Sequence, residues 1–73
     1  MENIIVEIDS EEIRLDHLLK YSGLAMSGGQ AGQFITDGLV KVNGFLVLEK
    51  RKKVFLSDTI IFDDKYLIKL KAK

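Results

Sequence analysis

Apolar residues recur along this chain with two periods, and the switches between them outline its elements. Ile4, Val6 and Ile8 alternate with Ile5 and Glu7, so residues 3–8 read as a strand with one inward face. Leu15, Leu18 and Leu19 then fall at helical spacing, with Arg14, Asp16, His17 and Lys20 facing out. This helix is expected to start between Ser10 and Arg14, where Asp9 and Glu12 offer a capping box, and to end at Gly23. After the connector Leu24-Ala25-Met26, Ser27 and Gln30 have the S-x-x-Q spacing of a second helix start. In that motif the Ser27 hydroxyl accepts from the Gln30 N–H, and the Gln30 side chain returns to the Ser27 amide. Ala31, Phe34 and Ile35 form one stripe, and Gly38 sits where a left-handed C-cap belongs.

Beyond Gly38 the period drops to two. Val40 and Val42 alternate with Lys41 and Asn43, and Asn43-Gly44 is the dipeptide most favoured in tight hairpin turns. Phe45 to Leu48 reads as a strand or a semi-extended arm, followed by the only dense charge run, residues 49–53. Val54-Phe55-Leu56 resumes apolar character, Ser57-Asp58 makes a turn, and Thr59 to Phe62 is a strand. Asp63-Asp64-Lys65 is a hairpin turn into a last strand in which Tyr66, Ile68 and Leu70 share a face. The pattern predicts an α+β fold: two short helices on a small, mostly antiparallel sheet of about four to five strands, one domain over residues 1–73. Most of the six aromatics fit core positions. Phe45, just after the hairpin turn, is the one placed to stack on a base, although packing is the expectation for it.

Composition narrows the possibilities. A chain of 73 residues buries only about 60–65% of its unfolded surface, and 47% apolar residues suffice for a core. Without cysteine, no disulfide framework or cysteine-bound zinc can be invoked. No apolar run approaches the ~20 residues that span a bilayer. The acidic start MENIIVEIDSEE lacks the basic region of a signal peptide, so a soluble, cytoplasmic protein is expected. The net charge of zero hides an asymmetry. Residues 1–37 carry two bases against seven acids, and residues 38–73 nine bases against four acids. Such a split suggests that one end meets an anion, most commonly nucleic acid.

Catalysis finds little support. His17 is the only histidine, and Asp16 beside it points elsewhere on a helix, so no dyad follows. Asp63 and Asp64 sit between two strands, where aspartates are turn formers. No metal cluster, cofactor motif or small-molecule substrate site is visible. Gly28-Gly29 at a helix start has two readings of equal weight: unpaired amides that welcome an anion, or small residues that let two helices pack closely. Lys41, Lys50, Arg51, Lys52 and Lys53 concentrate positive charge beside the hairpin. If about four of them met phosphates, log K should fall against log salt with a slope of roughly −3 to −4. Arg51 is the best candidate for a bidentate phosphate grip.

Together these residues are familiar. Arg14-Leu15-Asp16-x-Leu18-Leu19, Gly23-Leu24-Ala25-x-Ser27, Ala31, Ile35, Gly38, Val40-x-Val42-Asn43-Gly44 and Asp58-Thr59-Ile60 resemble the ribosomal-protein-S-four-type (alpha-L motif) RNA-binding domain, over residues 14–62. Chain length and the Ser27-Gly28-Gly29-x-Ala31 variant look most like the stand-alone, small bacterial YaaA/YbcJ-like proteins. The resemblance implies a non-catalytic, ribosome-associated module that binds structured RNA, ribosomal or transfer RNA, by backbone phosphate and shape. The site it implies joins Ser27, Gly28, Gly29, Gln30 and Gln33 on the second helix, Lys41 and Asn43 on the hairpin, and Lys50, Arg51, Lys52 and Lys53. Family members often carry Arg or Lys around the second helix, where this chain has Gly28, Gly29, Gln30 and Gly32. Gly32 also costs about 1 kcal/mol against alanine in a helix. The positive field must then come mainly from Lys41 and the Lys50–Lys53 run. The alternative reading is a ribosome- or nuclease-associated adaptor whose basic loop meets an acidic protein surface.

Overall fold

The first and last strands of the chain lie side by side in the computed structural model, which describes all 73 residues. β1 (Glu2–Ile8) runs parallel to β7 (Tyr66–Ala72), with Ile4 opposite Ile68 and Val6 opposite Leu70. β7 pairs antiparallel with β6 (Thr59–Phe62), β6 with β3 (Val40–Val42), and β3 with β4 (Phe45–Leu46). The order is β1-β7-β6-β3-β4. A separate two-stranded ribbon joins β2 (Glu12–Arg14) to β5 (Lys53–Phe55). α1 (Leu15–Tyr21) and α2 (Gly28–Thr36) complete the α+β fold. Five strands, mostly antiparallel, match the expected sheet, and the ribbon adds two more.

Period-two patterning decides which face of the sheet is covered. Val6, Val40, Val42, Ile60, Ile68 and Leu70 are buried against Leu15, Leu18, Leu19, Ala31 and Ile35 of the helices. Their neighbours Ile5, Lys41 and Lys69 are exposed, because adjacent side chains on a strand point to opposite faces. Two tight turns set the registers. Asn43 and Gly44 (φ +52° and +85°), and Asp63 and Asp64 (φ +53° and +52°), have the paired positive φ of primed hairpin turns.

Three expectations need correction. The first helix does not begin on an Asp9–Glu12 capping box. Glu12–Arg14 is drawn into the ribbon, the helix starts at Leu15, and its N-cap Arg14 provides no side-chain cap. Asp16 does not face out; it is the one buried charged residue. The aromatics are not mostly core. Phe62 alone is buried, with Phe34 against it edge-on at 5.3 Å, while Tyr21, Phe45 and Phe55 are exposed.

Candidate nucleic-acid interface

A helix start leaves amides that need partners, and at α1 the cationic loop supplies them. Leu15 N–H donates to the Lys52 carbonyl at 2.8 Å and Asp16 N–H to the Lys50 carbonyl at 3.1 Å. His17 N–H donates to Asp16 Oδ1 at 2.9 Å. The loop closes on itself through Lys52 N–H to the Glu49 carbonyl at 3.3 Å. Residues 49–52 are thus tied to α1 by their backbone, which leaves their side chains to point outward. Lys50 and Arg51 are exposed and Lys52 is half-buried.

Asp16 stiffens the same corner. Arg14 donates to it twice, Nε to Oδ1 at 3.1 Å and Nη2 to Oδ2 at 2.6 Å. Burial alone pushes the Asp16 carboxyl up. The Arg14 hydrogen bonds, the His17 N–H and the nearby positive charge outweigh it and hold the group below its ordinary 3.8. A carboxyl lowered on folding stabilises the folded state above its unfolded pKa, and that contribution is lost as pH falls through the folded value. The stability difference between wild type and Asp16→Asn is therefore expected to be constant above about pH 5 and to shrink progressively below 3.8. Urea melts across that range check it. A difference that instead grows on acidification would mean that Asp16 is not the stabilising ion.

α2 starts as its sequence predicts, with one change. Ser27 Oγ accepts from Gln30 N–H at 3.1 Å, but Gln30 Oε1 reaches the Met26 amide at 2.6 Å rather than that of Ser27. The first two helical amides, of Gly28 and Gly29, have no acceptor within the protein. A Cβ at Gly28 would meet nothing within 4 Å, and one at Gly29 only Ser27 Oγ at 3.9 Å. Close helix packing therefore does not explain these two glycines, since both lie open to solvent. Gly32, one turn on, does make a close approach. A Cβ there would stand 3.0 Å from Lys50 Cδ and 3.3 Å from Cε, so the absent side chain makes room for the lysine stem to lie across the helix. Residues i and i+4 share a helix face, which puts Lys50 on the face of Gly28 and Gly32.

The remaining predicted residues divide. Lys50, Arg51 and Lys52 have no carboxylate partner, whereas Lys53 pairs with Glu12 at 3.4 Å and Lys41 with Asp64 at 3.7 Å. Lys41 also projects from the sheet face opposite the buried Val40 and Val42, away from the helices. Gln33 is exposed on α2 and donates to Asp37 Oδ1 at 2.8 Å. Asn43 is exposed, but its side chain is engaged within the protein. Its Nδ2 donates to Asp58 Oδ1 at 2.9 Å, its Oδ1 accepts from Thr59 N–H at 2.9 Å, and Asp58 Oδ2 accepts from Phe55 N–H at 2.8 Å. The charge asymmetry of the two halves is partly absorbed as well, because Lys53–Glu12 and Lys73–Asp9 cross between them. Sequence reasoning missed the seat of Lys50 on Gly32, although a glycine in mid-helix was the signal for it. The Arg14–Asp16 clamp, in which a half-buried arginine holds a buried carboxylate, left no such mark.

No helix is long and apolar enough to cross a membrane, and no three His, Asp or Glu side chains gather as a metal would require. Residues 6–69 match the family model of the S4 domain. The chain therefore belongs to the S4 domain family, whose members are generally RNA-binding and typically non-catalytic. No curated protein matches the sequence.

Proposed function

We propose that this protein is a non-catalytic module that binds structured RNA, of the ribosomal or transfer RNA kind, on the surface formed by the start of α2 and the loop at residues 49–52. One observation carries the reading: the Lys50 stem crosses α2 at Gly32, on the helix face that it shares with Gly28, whose amide is open. Helix-start amides and lysine or arginine heads are complementary to phosphate oxygens. Arg51, unpaired, has the fork geometry for one phosphate. Recognition by phosphate and shape suits an RNA duplex, whose deep major groove hides its base edges. Lys41, on the other sheet face, and Asn43, held by Asp58 and Thr59, lie outside this surface.

The test is filter binding of a stem-loop RNA over a range of salt. With three to four phosphate contacts, log K should fall against log salt with a slope of roughly −2 to −4. Retention that is insensitive to salt, or absent, speaks against the reading. Capture of a protein partner after nuclease treatment would favour the adaptor.

Gly32 gives a sharper check. Gly32→Ala is expected to raise helix stability by about 0.5–1 kcal/mol, because the Cβ meets only the flexible end of Lys50. It should weaken RNA binding about two- to fivefold by displacing that lysine. Thermal melts and RNA titrations of the same variant read both effects. A stabilised variant with unchanged affinity would remove Lys50 from the site.

A further inference from the structure

Beside the cationic loop lies a cleft, lined by apolar and charged side chains together, that neither the fold nor the phosphate surface explains. It is open, has a volume of about 630 Å³, and is lined by Phe45, Leu48, Lys52, Lys53, Phe55 and others. Phe45 is 75% exposed, Leu48 55% and Phe55 47%. Single exposed apolar residues are ordinary. Four large ones around one cleft, Leu46 with these three, two of them phenyl rings, are a patch that calls for an occupant.

Its construction is specific. Phe45 stands opposite Val42 in the β3–β4 pair, so it projects on the helix-covered side of the sheet, the side of the loop. Lys53 and Phe55 alternate with buried Val54 and project together from β5. Asp58 holds the two walls in register, accepting from Asn43 at the hairpin tip and from the Phe55 amide. Its carboxylate is therefore spent within the protein, and Glu49 is the acid left on the rim against Lys52 and Lys53. Lys53 is held only by an exposed pair with Glu12, and such pairs contribute little.

We propose that this cleft takes an unpaired nucleobase of the bound RNA, stacked on the Phe45 or Phe55 ring, with the flanking phosphates at Lys52 and Lys53. Aromatic platforms beside cations are how single-stranded nucleotides are held, since every base has a π-face to stack. The inference rests on the RNA reading above and names the feature of the RNA that the module selects: a single-stranded nucleotide next to a stem. A second copy of this chain would suit the rings but would set the same two lysines against its own.

The experiment compares two RNA duplexes without loops, one blunt at both ends and one with a short single-stranded adenosine extension, by fluorescence anisotropy. Wild-type protein should bind the extended RNA about tenfold more tightly. Phe45→Leu and Phe55→Leu, which keep apolar bulk but remove the ring, should each erase most of that difference while leaving the blunt RNA's affinity unchanged. Equal wild-type affinity for the two RNAs overturns the stacking site and leaves the phosphate surface standing, whereas binding of neither removes both. Concentration-dependent self-association that is lost in the leucine variants, with RNA affinities unmoved, reassigns the cleft to a second copy of the chain.

Discussion

Replacing Lys50, Arg51 and Lys52 together by glutamine is expected to lower the affinity for a structured RNA about a hundredfold at about 0.1 M salt. It should also flatten the dependence of log K on log salt by roughly two to three units. These are the three loop cations without a carboxylate partner, so their charge is available to phosphates. The loop itself should survive the change, because Lys50 and Lys52 anchor it through their carbonyls and not through their side chains. The thermal melt should consequently move by no more than a few degrees. Lys41→Gln provides the contrast. That residue lies on the other face of the sheet and pairs with Asp64, and its replacement should change RNA affinity less than threefold, about the size of one exposed ion pair. A triple variant that binds RNA like the wild type would break the link between the loop and the nucleic acid.

Asp58→Ala is expected to destabilise the fold by about 2 kcal/mol, a fall in melting temperature of about 10 °C for a chain of this size. Asp58 accepts from the Asn43 side chain and from the Phe55 amide, and Asn43 in turn accepts from Thr59 N–H. Removing the carboxylate thus leaves two donors without their acceptor. It also frees the Asn43-Gly44 turn from the segment before β6. Asn43→Ala should cost a similar amount, and the double variant clearly less than the sum of the two, as expected for residues in one network. Additive losses in that cycle would show the two side chains to be independent. Because Asp58 lines the aromatic cleft and its hydrogen bonds go to Asn43 and Phe55, not to α2, binding of a blunt duplex by the still-folded variant should be nearly unchanged.

What the sequence made legible was local. Ser27 and Gln30 announced the start of α2, Asn43-Gly44 announced a primed turn, and the alternation of Val40 with Val42 announced the buried face of β3. Each of these rests on residues within a turn or two of one another. The parallel pairing of β1 with β7 joins the two ends of the chain and leaves no turn signal between them. Glu12–Arg14 looked like the start of a helix because nothing nearby revealed that Lys53–Phe55 would pair with it. Half of the candidate site was legible in the same sense. The cationic run and the exposed glycines could be named, but their juxtaposition depended on Lys50 finding a seat at Gly32, far away in sequence. Lys41 looked like part of one basic patch because it is close in sequence to the loop. Strand alternation turned it to the opposite face. Phe45 was expected to pack, and it is exposed because β4 is an edge strand only two residues long.

Amide shift mapping of the ¹⁵N-labelled protein during titration with a stem-loop RNA tests the central claim most directly. The largest changes should fall on Gly28, Gly29, Gly32 and residues 49–52, with Lys41, Ile61, Leu67 and Lys69 on the open sheet face unmoved. Changes concentrated on that open face, with the start of α2 silent, would contradict the assignment of the RNA surface.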